Sequence, residues 1–301
     1  MQVGVGAVAL TTALTVALVP APALADNTGG KTGGNNTTNG LTGTGGDDSG
    51  PGDQVSAQMQ EMEAAKAAVA EAYVEAAYGE GTVAEFRAAR RVYVQRWGEK
   101  LPRWSAYRTG PRARKAAGRI LAVDQYPQIN EYFCGPASGK SILAYLNAGP
   151  SAVNGVSQNQ EHIGGPAHMK TSGNRETAWS TSLFRKGLNL WRQNSPTGFF
   201  VDKASPSASQ FRTSMFYDID GSHPFGADTV EFFGGAHYNG HPEIGRNIGH
   251  WLVVRGYQEN GDKTNFVDPS ANSIYANANP YFTAPTNSFV NTYLQSNGIT
   301  W

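Results

Sequence analysis

The stretch that most constrains this chain is Phe133–Ser141, FCGPASGKS, which places the only cysteine of 301 residues directly before Gly135 and Pro136. Proline is tolerated in the first turn of a helix, where its missing N–H would have no intrahelical partner. The pattern therefore predicts a helix close behind the thiol, over Pro136–Asn147, with Ile142, Leu143 and Leu146 on its apolar side. The ending GKS also imitates a phosphate-cradling loop. That loop needs Gly, four residues, then Gly-Lys-Ser/Thr, because the count of backbone N–H groups sets its concavity. Glycine would be required at 134, where Cys stands, and Gly135 leaves the loop one residue short. The preceding NEYF is also a poor buried strand, so the phosphate reading is set aside.

The rest of the chain divides by texture. Residues 1–25 hold an apolar stretch ending near Val19, then the small-residue pattern Ala23-Leu24-Ala25, the form of a secretory signal peptide. No Lys or Arg precedes the apolar stretch, which leaves a start upstream of Met1 or a retained membrane anchor as alternatives. Residues 26–54 are Gly, Asn, Thr, Asp and Ser with Leu41 as nearly the only apolar side chain, a disordered linker that cannot offset its ordering entropy by burial. A secreted (extracellular or envelope-associated) protein is therefore expected.

Residues 55–116 read as a helical, basic segment. Met59, Met62, Val69 and Tyr73 share one face; after Gly79-Glu80-Gly81, Thr82-Val83-Ala84-Glu85 has capping-box spacing, followed by the stripe Phe86, Arg90, Tyr93 and Trp97. From Arg87 to Arg119 there are eleven basic residues against one acid, Glu99, although the whole chain is formally neutral. Neutrality gives no reason to expect nucleic acid. The local excess is a solvated face, a contact for an anionic cell envelope, or, at Arg112–Lys115 (RARK), a site for removing a pro-segment.

Residues 117–301 form the second region. A helix is expected over Thr177–Asn194, carrying Trp179, Leu183, Phe184, Leu188 and Trp191, and a hairpin over Trp251–Tyr257 and Thr264–Asp268. Helices early and strands late predict an α+β fold.

Secreted chains commonly use cysteines in pairs, so a lone Cys134 is either a buried small hydrophobe or a nucleophile. A helix N-terminus would favour the thiolate. Of six histidines, His250 has the most informative place, at the start of a strand with Asp268 at the end of the next, where a carboxylate would orient the ring. Gln128, six residues before the cysteine, would join the Cys134 N–H in holding an oxyanion. Each residue taken alone has a plainer role: core histidine, turn aspartate, loop glutamine.

YPQINEYFCGPASGKSILAYL, GHWLVVRGY and FVDPS together resemble the bacterial family thirty-nine-like cysteine peptidases, relatives of bacteriocin-processing double-glycine peptidases, on a papain-like fold. The resemblance spans roughly Ile120 to Pro269. It implies Cys134 as nucleophile, His250 as general base, Asp268 as its partner and Gln128 in the oxyanion hole, acting on a peptide or protein substrate without a cofactor. No ATP-transporter portion follows, and Leu146–Gly249 matches nothing in that pattern, so cleavage after double glycine is not implied. A peptidoglycan amidase or endopeptidase using the same triad, and a non-catalytic peptide-binding relative, stay open.

His237 and His241, with Glu243 beyond, invite a zinc reading. Four-residue spacing suits a helix, which Gly234, Gly235, Gly240 and Pro242 oppose, so no metal is expected. His162, His168 and His223 fall in Gly/Pro-rich loops without an assigned role. The sequence gives no oligomeric state.

Overall fold

The computed structural model describes residues 57–102, 118–195 and 197–301. The expected signal segment, the linker and the RARK site lie outside them. Helix α1, Ala57–Tyr78, buries Met59, Met62, Val69 and Tyr73, the face expected from the spacing. It ends where the Gly79 and Gly81 amides both donate to the Glu75 carbonyl. Thr82 then caps α2, Val83–Trp97: the Glu85 amide donates to Thr82 Oγ1 at 3.2 Å, and the Thr82 amide donates back to Glu85 Oε2 at 2.7 Å. Phe86 and Tyr93 are buried, whereas Arg90 and Trp97 of the same stripe are half-buried. Phe86 packs on Tyr73 at 5.3 Å between ring centres while Arg96 reaches back to Glu61, so the two helices run antiparallel.

The elements that follow are β1 (Arg119–Ile120), α3 (Cys134–Tyr145), α4 (Gln160–Ile163), α5 (Thr171–Asn174), α6 (Leu183–Gln193), β2 (Asp202–Ala204) and α7 (Ala208–Asp220). Then come β3 (Phe225–Glu231), β4 (Ile248–Gln258), β5 (Lys263–Val267), β6 (Tyr281–Pro285), α8 (Thr286–Tyr293) and β7 (Gly298–Thr300). This is an α+β architecture. The strands form one antiparallel sheet in the order β2-β7-β3-β4-β5-β6, with β1 joined to the far end of β4 at Arg119↔Tyr257. Gly256 permits that junction, because a Cβ there would lie 2.4 Å from the Arg119 carbonyl oxygen.

The expected hairpin is β4 and β5, with β4 starting three residues earlier, at Ile248. Helix α6 starts at Leu183, later than Thr177, because Ser182 takes a left-handed φ of 56° and turns the chain; Trp179 lies before that turn. Strand β3, FGADTVE, carries no alternating pattern because every residue is buried, Asp228 and Glu231 included. Its central place explains why periodicity does not reveal it.

Two packing centres position the rest. Trp251 of β4 stacks on Phe184 of α6 at 4.0 Å and 10° between planes, and its indole N–H donates to the Thr177 carbonyl at 2.9 Å. On the other side α1 meets α7. Lys66 Nζ, fully buried, lies 3.5 Å from Asp218 Oδ1 and over the rings of Phe199 and Trp301. Beside it, the hydroxyls of Tyr73, Tyr78 and Tyr257 all donate to the Asp220 carboxylate. Among the described residues no helix is long and apolar enough to cross a membrane.

Candidate active site

Helix α3 begins at Cys134 itself, two residues before the expected start. Gly135 makes this possible sterically: a Cβ there would sit 2.2 Å from Thr177 Oγ1. One turn on, Ser138 Oγ donates to the Trp251 carbonyl at 2.9 Å and docks the helix on β4. Residues four apart share a helix face, so Cys134 is carried against the same strand, with its sulfur beside the backbone amides of Trp251 and Gly135. Trp251 directly follows His250.

His250 lies on β4 opposite Thr229 of β3, whose Oγ1 donates to the His250 carbonyl at 2.8 Å. Its ring Nε2 is 3.0 Å from Asp268 Oδ1, which leaves Nδ1 as the nitrogen without that carboxylate contact. Asp268 follows the last residue of β5 and is wholly buried. Its Oδ1 also accepts from the amide (2.8 Å) and hydroxyl (2.6 Å) of Ser270, and its Oδ2 from Asn239 Nδ2 at 2.7 Å. Burial would raise the carboxyl, but the hydrogen bonds from His241 and His250 overcome it and hold Asp268 well below the usual carboxylate range.

Gln128 is brought to the same end of the sheet, its amide donating to the Pro269 carbonyl at 2.8 Å. Its side chain is buried, with Nε2 committed to the Asn130 carbonyl at 2.7 Å. The Gln128 loop is clamped by Gln160, which accepts from the Ile129 amide and donates to the Pro127 carbonyl.

One electrostatic expectation is reversed. The helix N-terminus was expected to lower the Cys134 thiol, but complete burial pushes it up to about 12, with the charges of Asp228 and Asp268 acting in the same direction. The thiol is neutral in this closed arrangement.

Sequence reasoning passed over part of the site. His241, read only as a weak metal candidate, is buried on the opposite side of Asp268, with Nε2 2.8 Å from Asp268 Oδ2 and Nδ1 2.6 Å from Glu231 Oε1. His237 Nδ1 takes the other Glu231 oxygen at 2.9 Å. His241, His250 and Asp268 are a donor set that a metal ion could use, yet both ring nitrogens of His241 face carboxylate oxygens at hydrogen-bond distance. Tyr275 is packed on His241 with 4.6 Å between ring centres. The signal that could have found this pair was two acids, Glu231 and Asp268, flanking the His-rich loop in sequence. Of the remaining histidines, His168 bonds Ser151 and the His162 carbonyl, and His223 bonds the Gly221 carbonyl.

No curated protein matches the chain. Among solved structures it is similar to xylellain, a cysteine protease from Xylella fastidiosa, at 11% identity and a TM-score of 0.37, over 66% of this chain and 88% of that one. The model of the Peptidase_C39 like family matches residues 120–300. That match covers more than half of the chain and contains Gln128, Cys134, His250 and Asp268, and so the chain belongs to the Peptidase_C39-like family.

Proposed function

We propose that this protein hydrolyses peptide bonds through Cys134, His250 and Asp268. The observation that carries the reading is the His250–Asp268 hydrogen bond on the strand against which Ser138 docks the Cys134 helix. Asp268 fixes the tautomer of His250 that leaves Nδ1 open to a proton from sulfur. Because the thiol is neutral, attack is coupled to proton transfer: Sγ bonds to the carbonyl carbon as its proton passes to His250. The oxyanion is held by the Cys134 N–H and by the second N–H of Gln128 Nε2, whose first is on the Asn130 carbonyl. His250 then gives its proton to the departing amine, leaving a thioester. It next takes a proton from water, which attacks the acyl carbon, releases the acid and returns the thiol.

The test is incubation with a proteome-derived peptide library read by mass spectrometry. Wild-type protein is expected to yield new termini, and Cys134→Ala none; equal cleavage by the alanine variant would refute the mechanism. Action on cell-wall stem peptides is a second reading, supported by a groove on α2 lined by Arg87, Arg90 and Arg91. Purified walls should then release peptides and bind the protein in a salt-sensitive way. Export is part of the same proposal and rests on Ala23-Leu24-Ala25. The N-terminus of protein recovered from culture medium tests it.

A further inference from the structure

We infer that His241 is a positioning residue of the catalytic carboxylate, held between Glu231 and Asp268 so that Asp268 presents Oδ1 to His250. The inference rests on the triad proposed above and extends it by two residues, Glu231 and His241.

The geometry requires a proton inventory. A neutral imidazole has one N–H and one lone pair, yet each ring nitrogen of His241 faces a carboxylate oxygen, at 2.6 Å on the Glu231 side and 2.8 Å on the Asp268 side. With both carboxyls ionised, a lone pair against either would be repulsive, so both nitrogens carry protons and His241 is an imidazolium bridging two anions. Its surroundings suit a cation. The rings of Tyr238 and Tyr275 lie 4.7 and 4.6 Å from it, Ser270 Oγ is 3.2 Å from Nε2, and the His250 ring stands edge-on at 5.4 Å. Burial alone would lower the imidazole, but the hydrogen bonds to Asp268 and Glu231 outweigh it and hold the group at about 9. Glu231 is itself fixed on β3, opposite Ile248 and two residues beyond Thr229, the register partner of His250. Asp268 is thereby gripped on both oxygens. With Oδ2 occupied by His241 and Asn239, it cannot rotate away from His250 when that ring gains its proton.

A purely packing role would lower stability without touching turnover. The full chain, labelled with ¹⁵N-histidine, should show at pH 7 a doubly protonated imidazole whose signal disappears in His241→Gln; His237, between Glu231 and Glu243, gives a separate signal that persists. On the fastest-cleaved library peptide, His241→Gln should lower kcat about tenfold or more with KM little changed. In Glu231→Gln/His241→Gln the two amides can pair and still donate to Asp268, so much of kcat should return. A neutral His241 at pH 7, or a kcat in His241→Gln equal to wild type while Cys134→Ala is inactive, overturns the inference and leaves the triad standing. Retained cleavage in Cys134→Ala overturns the triad instead. If His241→Gln does not fold, Glu231→Gln is read by ¹⁵N instead: His241, accepting from the side-chain amide introduced at position 231 and donating to Asp268, should lose its doubly protonated signal, and persistence of that signal overturns the bridge between two carboxylates.

Discussion

Cys134 occupies the first residue of α3, where a helix end favours an anion by roughly 0.3–1 kcal/mol. One pKa unit corresponds to about 1.4 kcal/mol, so that contribution cannot offset the burial that takes the thiol to about 12. A solvated cysteine at a helix start and a closed one behave oppositely, and nothing within a few residues of Cys134 reveals which applies. His241 carries the prediction at this scale. Its folded value of about 9 lies above the ordinary 6.5, so its stabilisation is complete below pH 6.5 and is lost as pH rises through 9. Buried Lys66 acts in the opposite sense. Burial first, despite Asp218, lowers it to about 8, so the unfolded chain binds more protons above that pH. The difference between wild type and His241→Gln isolates the histidine. In chemical denaturation that difference should shrink by on the order of 2 kcal/mol between pH 6.5 and 9, and a constant difference would contradict the charge assignment.

Among the elements, α1 and α7 are joined by a charge pair rather than by apolar faces alone. Lys66 and Asp218 are both inaccessible and 3.5 Å apart. Removing one partner strands a buried charge, whereas replacing both by apolar groups removes the desolvation cost as well. Asp218→Ala should therefore destabilise by about 3–5 kcal/mol, and Lys66→Met/Asp218→Leu by much less. Urea unfolding of the three proteins decides this; equal losses in both variants would show that volume, not charge, governs the contact. The helices themselves were largely legible. Apolar spacing located α1, and Thr82-x-x-Glu85 located the start of α2, because both signals lie within one or two turns. The α1–α7 pair was not, since Lys66 looks like any solvated lysine on an Ala-rich helix and its partner is 152 positions away.

For the whole molecule, Met59, Tyr73, Phe86 and Tyr93 belong to the same core as Trp251, Tyr257 and Trp301. The tyrosines of α1 also complete the donors to Asp220. A chain truncated to begin at residue 118 would expose that core and leave Asp218 without Lys66. It should give an expanded, weakly folded product by circular dichroism and size exclusion; a stable, peptide-cleaving product would show the helical pair to be a dispensable attachment. By itself the sequence determined that a helix follows the thiol closely, to within two residues of its start, the hairpin that carries His250 and Asp268, the α+β class and the capped helical pair. These are written in residues a few positions apart, through periodicity, turn chemistry and steric limits on backbone. Only the tertiary structure decided that the thiol is neutral, that β3 runs through the middle of the sheet, and that His241 grips Asp268 from Glu231. Burial and the field of distant charges set those features, and both depend on which remote segments the sheet register brings together.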